Sequence, residues 1–226
     1  MTKKQAIAII CRCAKTYHTY LENSQILFVY RDSNNHSHYT EVQFKAHNFL
    51  HFTGVKLRKD LNVNTFYRYA INSRLNENDF YFDNSSVSEL KLQVLDTIMN
   101  IDTRARMIGN YNNSKVDLYT EKVAGTVSAC LGLIQKGNDN IFIPNSVLNE
   151  DIRTLIPKPP GKIYAIFKKK IGESYYTKLT YQKNNLEITR KCLPKELLSQ
   201  ITPTLLEDNN EKISLTSLDI PHETQL

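Results

Sequence analysis

Gly125-Thr126-Val127-Ser128-Ala129-Cys130-Leu131-Gly132-Leu133 is a run in which apolar side chains recur at every second position. Period two is the spacing of a strand with one buried face. Val127, Ala129, Leu131 and Leu133 are therefore expected on one face, and Thr126, Ser128 and Cys130 on the other, a small polar face opposite the core. Upstream, residues 106–111 and 115–120 flank Asn112-Asn113-Ser114, a hairpin signal. Downstream, 141–144 reads as a short strand. Residues 163–167 are apolar on both faces, which predicts a central strand, and 175–182 with 186–190 read as a hairpin around Lys183-Asn184-Asn185. A short helix over 194–201 is expected to close the fold.

Before Asn100 the pattern is mostly helical. Thr2 and Gln5 fit a capping box, and Ile7, Ile10, Ala14, Tyr17 and Leu21 repeat at helical spacing. Two strand-like runs follow, 25–30 and 38–44, with the turn cluster Asp32-Ser33-Asn34-Asn35 between them. A second helix is predicted over 62–75, with Phe66, Tyr69 and Ala70 on one side. A third starts at a capping box of Ser86 and Glu89 and carries Leu90, Val94, Leu95, Ile98 and Met99 as an apolar stripe. Helices ahead of strands joined by short turns predict a single α+β domain whose sheet is mostly antiparallel, not alternating β-α-β units. The expected division is an N-terminal helix over 1–24, the domain proper over 25–205, and an acidic, mobile tail over 206–226.

The chain of 226 residues is 41% hydrophobic and 23% charged, the balance of a folded protein with a substantial core. No apolar run approaches the roughly 20 residues that span a bilayer. The apolar stretch 6–10 is too short for a signal peptide, so a cytoplasmic, membrane-free location is expected. Cys11, Cys13, Cys130 and Cys192 form no Cys-x-x-Cys pair, so reduced thiols are expected and a structural zinc site is not. The net charge is +6, yet residues 207–226 carry −4, which leaves +10 on the body. Such a body favours a polyanionic partner.

No P-loop, Gly-x-Gly-x-x-Gly or Gly-x-Ser-x-Gly motif is present. His36 and His38, with Asp32 and Glu41 nearby, build no recognised metal spacing, and no cofactor is expected. Metal-free acid–base chemistry with cationic stabilisation remains. RNA offers such a reaction: a base takes the 2′-hydroxyl proton, an acid protonates the leaving 5′-oxygen, and a cation steadies the phosphoryl oxygens. The stretch Asn48-Phe49-Leu50-His51-Phe52-Thr53-Gly54-Val55-Lys56 places a histidine, a hydroxyl and a lysine inside an apolar run. A lone histidine there is more often a core residue, but Lys122, Thr126 and Ser128 form a second polar group that could face it. Arg106 and Arg153 are further cations.

Three pieces taken together, residues 51–56 (His-Phe-Thr-Gly-Val-Lys), 106–111 and 122–132, resemble the phage-associated barnase–EndoU–colicin–RelE-like nucleases, and the fourth group of that set most closely. The resemblance continues through 143–146, 151–153 and 163–168 and spans residues 25–182. It implies N-terminal helices on a four-stranded antiparallel sheet and a metal-independent RNase, often a toxin. It implies RNA as the partner, tRNA among the candidates, with an antitoxin or immunity protein as a possible second partner. By the same resemblance His51 is the acid or base, Lys122 the phosphate stabiliser and Thr126 a holder of a phosphate oxygen. Thr53, Lys56, Arg106, Ser128 and Arg153 are expected to bind substrate. RNA cleavage should then persist in EDTA and leave 2′,3′-cyclic phosphate. Two competing readings are an NAD-dependent ADP-ribosyltransferase with Glu187 as its late glutamate, and a non-catalytic nucleic-acid-binding module.

Overall fold

The computed structural model describes residues 1–83, 86–112, 119–137 and 140–206. In chain order its elements are α1 (Lys3–Tyr20), β1 (Ser24–Arg31), β2 (Ser37–Phe44), α2 (Phe49–Thr53), β3 (Lys56–Leu57), α3 (Val63–Ile71), β4 (Phe80–Tyr81), α4 (Val87–Ile98), α5 (Ile101–Arg104), β5 (Met107–Asn110), β6 (Lys122–Gly125), β7 (Cys130–Gln135), β8 (Ile141–Leu148), α6 (Ile152–Leu155), β9 (Gly161–Lys170) and β10 (Lys178–Gln182). The fold is α+β, as expected. Seven strands run in the order β1-β2-β8-β7-β6-β5-β9, and β9 pairs back onto β1, so the sheet closes into a ring. β10 adds to the later half of β9. All pairings in the ring are antiparallel except β2 with β8.

Closure follows from β9, whose ten residues take β1 along one edge and both β5 and β10 along the other. Its neighbour β1 is buried on both faces. Ile26 and Phe28 join the main core, while Leu27 and Val29 join a second core beneath the C-terminal segment. The main core packs the helices onto one face of the sheet. Tyr17, Phe49, Phe52 and Phe66 meet Phe44, Ile108, Ala124, Leu133 and Phe142 there. The second core sets Tyr176, Ile188, Leu193, Leu197 and Ile201 against Tyr164 and Phe167. Burying a side chain of this size contributes roughly 1.5–3 kcal/mol.

Thr2 and Gln5 cap α1 as predicted: the Gln5 amide donates to Thr2 Oγ1 (3.2 Å), and the Thr2 amide donates to Gln5 Oε1 (2.8 Å). Ser86 does not cap α4. It lies in the left-handed region (φ 61°), while Glu89 pairs with the Met1 ammonium at 3.1 Å. The stretch 126–133 is not one strand. β6 ends at Gly125, and a tight turn lets the Thr126 amide donate to Ala129 O (2.9 Å) before β7 begins. Thr126 Oγ1 accepts from the amides of Ser128 (3.2 Å) and Ala129 (3.3 Å), so local hydroxyl bonding overrides the period-two pattern. A Cβ at residue 125 would sit 2.2 Å from Ala129 O, which is why glycine stands there. Val127 is exposed. Cys130 is buried among Val123, Ile152 and Leu155 rather than on a polar face, and burial, the largest cause, pushes its thiol up to about 12.

β5 pairs with β6; of the strand expected over 115–120, residues 115–118 lie outside the described residues. Leu186 to Arg190 makes no strand; β10 pairs with β9 instead, and the 194–201 helix is reduced to a short 3-10 turn (Lys195–Leu197). Residues 207–226, the tail expected to be mobile, lie outside the described residues.

One ion pair is nearly dry. Lys168 Nζ sits 2.7 Å from Asp102 Oδ2, with side chains 15% and 8% exposed. Asp102→Ala leaves that ammonium without its carboxylate and is expected to cost about 3 kcal/mol, lowering Tm by roughly 6–12 °C. Thermal unfolding measures this; a fall under about 2 °C would mean that the pair contributes little.

Candidate active site

Side chains two apart on a strand share a face. Lys122, the first residue of β6, therefore faces the same side as Ala124 in the main core, and its β5 partner Asn110 faces the side of Ile108. The same parity groups Tyr30 with Phe28, and its β2 partner His38 with Val42. These four continue the core-facing surface to the rim of the ring, where apolar filling stops. Tyr30 and Lys122 are half-buried there, and His38 and Asn110 exposed. They line a hollow of about 600 Å³ with Ile108, Tyr111, Asn112 and the wall Ile156-Pro157-Lys158-Pro159. A recess of about 410 Å³ adjoins it, shares Tyr30, His38 and Lys122, and adds Tyr39 and Glu196.

The β1–β2 turn builds one half of the rim. Asp32 Oδ1 accepts the amides of Asn34 and His36, both at 2.9 Å, and Asn35 takes a left-handed φ of 64° to close the loop. Fixed this way, Asp32 presents Oδ2 to His38 Nε2 at 3.1 Å. A carboxylate only accepts, so the proton sits on Nε2 and Nδ1 carries the lone pair. His38, chiefly, holds the Asp32 carboxyl below the usual range, helped by the two amides against some desolvation. The imidazole also stacks on Tyr30, with ring centroids 5.7 Å apart and planes 29° apart. Lys122 Nζ lies 5.2 Å from the centre of the Phe142 ring. No ion pair engages Lys122 among the described residues, unlike Lys56, Arg153 and Lys168.

The residues singled out from sequence fall into three places. Lys122 stands at this rim. Thr126 lies four residues further along the same strand direction, about 13 Å away at ~3.3 Å per residue. Around Thr126 gather Ser128 (Oγ to Oγ1, 3.2 Å), Arg106, whose amide donates to Gly125 O (3.0 Å), and Ile152, whose amide donates to Thr126 O (3.2 Å). Arg153 follows Ile152 but spends its guanidinium on Asp151 (2.5 Å at the shortest), and Arg106 stacks on Tyr181 at 3.8 Å. The third group sits in the helical layer. His51 projects from α2 opposite the buried Phe49, Phe52 and Thr53 and lines none of the hollows described above. Its surface is exposed, yet neighbouring groups dry the ring, and this desolvation, then Lys91 and His47, lower its pKa. Thr53 is fully buried, its hydroxyl donating to Leu50 O (2.8 Å), and Lys56 pairs with Asp83 at 3.1 Å. Gly54 ends α2 in the left-handed region (φ 66°), where a Cβ would meet Ser88 of α4 at 3.1 Å. That local run serves helix packing.

His51 and Lys122 are thus not brought to one hollow, and neither is Thr126. The histidine beside Lys122 is His38, which the sequence offered only as part of an unconvincing metal spacing. Its signal was the turn itself: an Asp opening a hairpin, with His38 opposite Tyr30 across it. Glu187 lines neither hollow. No helix among the described residues is long and apolar enough to cross a membrane.

Residues 9–185 match the family described as phage-Barnase-EndoU-ColicinE5/D-RelE like nuclease4. No curated protein and no solved structure matches the chain. A match over most of the chain, on a fold whose rim sets an imidazole and an ammonium together in an open hollow, means that the chain belongs to the phage-Barnase-EndoU-ColicinE5/D-RelE like nuclease4 family of BECR-type nucleases.

Proposed function

We propose that the chain is a metal-independent endoribonuclease acting at the Tyr30–His38–Lys122 rim. The observation that carries this reading is the Asp32-oriented imidazole of His38 sharing one open hollow with the Lys122 ammonium, which no ion pair engages among the described residues. In this reading His38 Nδ1 takes the 2′-hydroxyl proton, O2′ bonds to phosphorus, and the P–O5′ bond breaks, O5′ leaving with a proton from water. Lys122 faces the non-bridging oxygens as charge builds on them. Asp32 keeps the imidazole in the tautomer that can accept the proton and favours the imidazolium that forms. Lys122 keeps the role carried by the resemblance, and His38 takes the one expected of His51. Thr126, Ser128, Arg106 and Arg153 would then touch RNA only outside the reacting centre. The basic rim also suits an acidic inhibitor protein as its antitoxin.

Incubation with RNA in excess EDTA tests the reaction. Cleavage should persist, and the new ends should be 2′,3′-cyclic phosphate and 5′-hydroxyl. Products with 3′-hydroxyl ends, or activity that EDTA abolishes, would point to metal-assisted hydrolysis instead.

A further inference from the structure

A second hollow, also about 600 Å³, lies on the opposite face of β1 and β9 at the same end of the sheet. Its lining includes Arg31, Lys162, Lys183 and Tyr164, and it shares Asp32 and Pro159 with the hollow that holds His38 and Lys122. Arg31 and Lys162 are register partners on adjacent strands, and the Lys183 amide donates to Tyr164 O at 2.9 Å, so three cationic residues are anchored to one patch of backbone. Asp32 is the one acidic residue in the lining, and its carboxylate is already engaged by His38 and two amides.

Arg31 is placed like an anion receptor. Its guanidinium lies 5.2 Å from the centre of the Tyr164 ring, and Tyr164 is itself fixed by a 2.6 Å hydrogen bond from its hydroxyl to Cys192 O. One guanidinium nitrogen donates weakly to Asn35 Oδ1 at 3.3 Å, and Nε is buried with no hydrogen-bond partner among the described residues. Tyr164 is only 2% exposed, so it supports Arg31 and offers no face to a base. The chemistry is that of a phosphate seat.

We infer that this hollow holds a backbone phosphate flanking the scissile one, the RNA strand passing over the rim at Asp32 and Pro159. The inference rests on the nuclease reading for its substrate, and adjoining hollows on two faces of one sheet edge suit a single strand, whose backbone turns freely between phosphates.

Binding of a fluorescein-labelled eight-nucleotide oligothymidylate, which lacks the 2′-hydroxyl and cannot be cleaved this way, tests the seat apart from the chemistry. Each phosphate contact on a single strand contributes about 0.7 to the slope of log K against log salt. The double variant Lys162→Ala/Lys183→Ala, two exposed side chains, should lower that slope by about 0.7, the share of one phosphate, and weaken binding at least tenfold at low salt. Arg58→Ala/Lys59→Ala, on a distant loop, should leave both unchanged. On RNA the Lys162/Lys183 variant should raise KM and keep kcat. An equal loss of slope in both double variants, an unchanged slope in the first, or no binding by the native chain overturns the seat. Oligonucleotide binding with the expected slopes but no RNA cleavage would keep the seat and remove the ribonuclease reading.

Discussion

His38→Ala is expected to lower kcat on RNA by about 10²–10⁴-fold, the usual contribution of a positioned general base, while His51→Ala changes it by less than about threefold. His38 is exposed and its ring stacks on Tyr30 at the rim, so the variant should fold, which thermal unfolding checks directly. A companion measurement separates catalysis from scaffolding. Asp32→Asn removes the carboxylate that accepts from His38 Nε2 and fixes its tautomer, so kcat should fall while KM stays unchanged. A purely structural loss would lower the thermal unfolding midpoint together with the rate. If His51→Ala is the inactive variant and His38→Ala is not, the rim is not the reacting centre.

Lys122→Met should lower kcat by about 10²–10³-fold, as removal of a single charge-stabilising donor does elsewhere. Methionine keeps the packing on Phe142, so the loss reads the ammonium and not the fold. Lys122→Arg should restore part of the rate, because a guanidinium supplies the charge from a longer, planar head. Equal kcat in native protein and Lys122→Met, with KM alone raised, would reduce Lys122 to a substrate contact.

Much of the architecture was legible in the chain because local chemistry decides it. The α1 cap, the β1–β2 hairpin around Asp32-Ser33-Asn34-Asn35, and the doubly buried β9 each depend on residues close in sequence or on a simple apolar period. Legibility failed where hydrogen bonding overrode pattern. Thr126 and Gly125 turn the chain inside what reads as one strand, and Ser86 adopts a left-handed backbone where a cap was expected. The partner that β5 takes, Lys122–Gly125, lies inside the run that opens on the Gly125 turn, and only the folded sheet shows that pairing.

The candidate site shows the same division. Lys122 could be picked out from sequence, since its motif is local, but its companion could not. His51 and Thr126 stand in suggestive runs, yet α2 turns His51 away from the sheet and the length of β6 carries Thr126 to its far end. His38 and Lys122 line one hollow because β9 pairs with both β1 and β5, closing a ring that brings residues 38 and 122 onto one rim. By itself the sequence determined the class of fold and the basic body, because composition, period and capping act over a few residues. Only the tertiary structure decided which histidine joins the lysine. That pairing depends on ring closure between strands more than a hundred residues apart, and no local pattern encodes it.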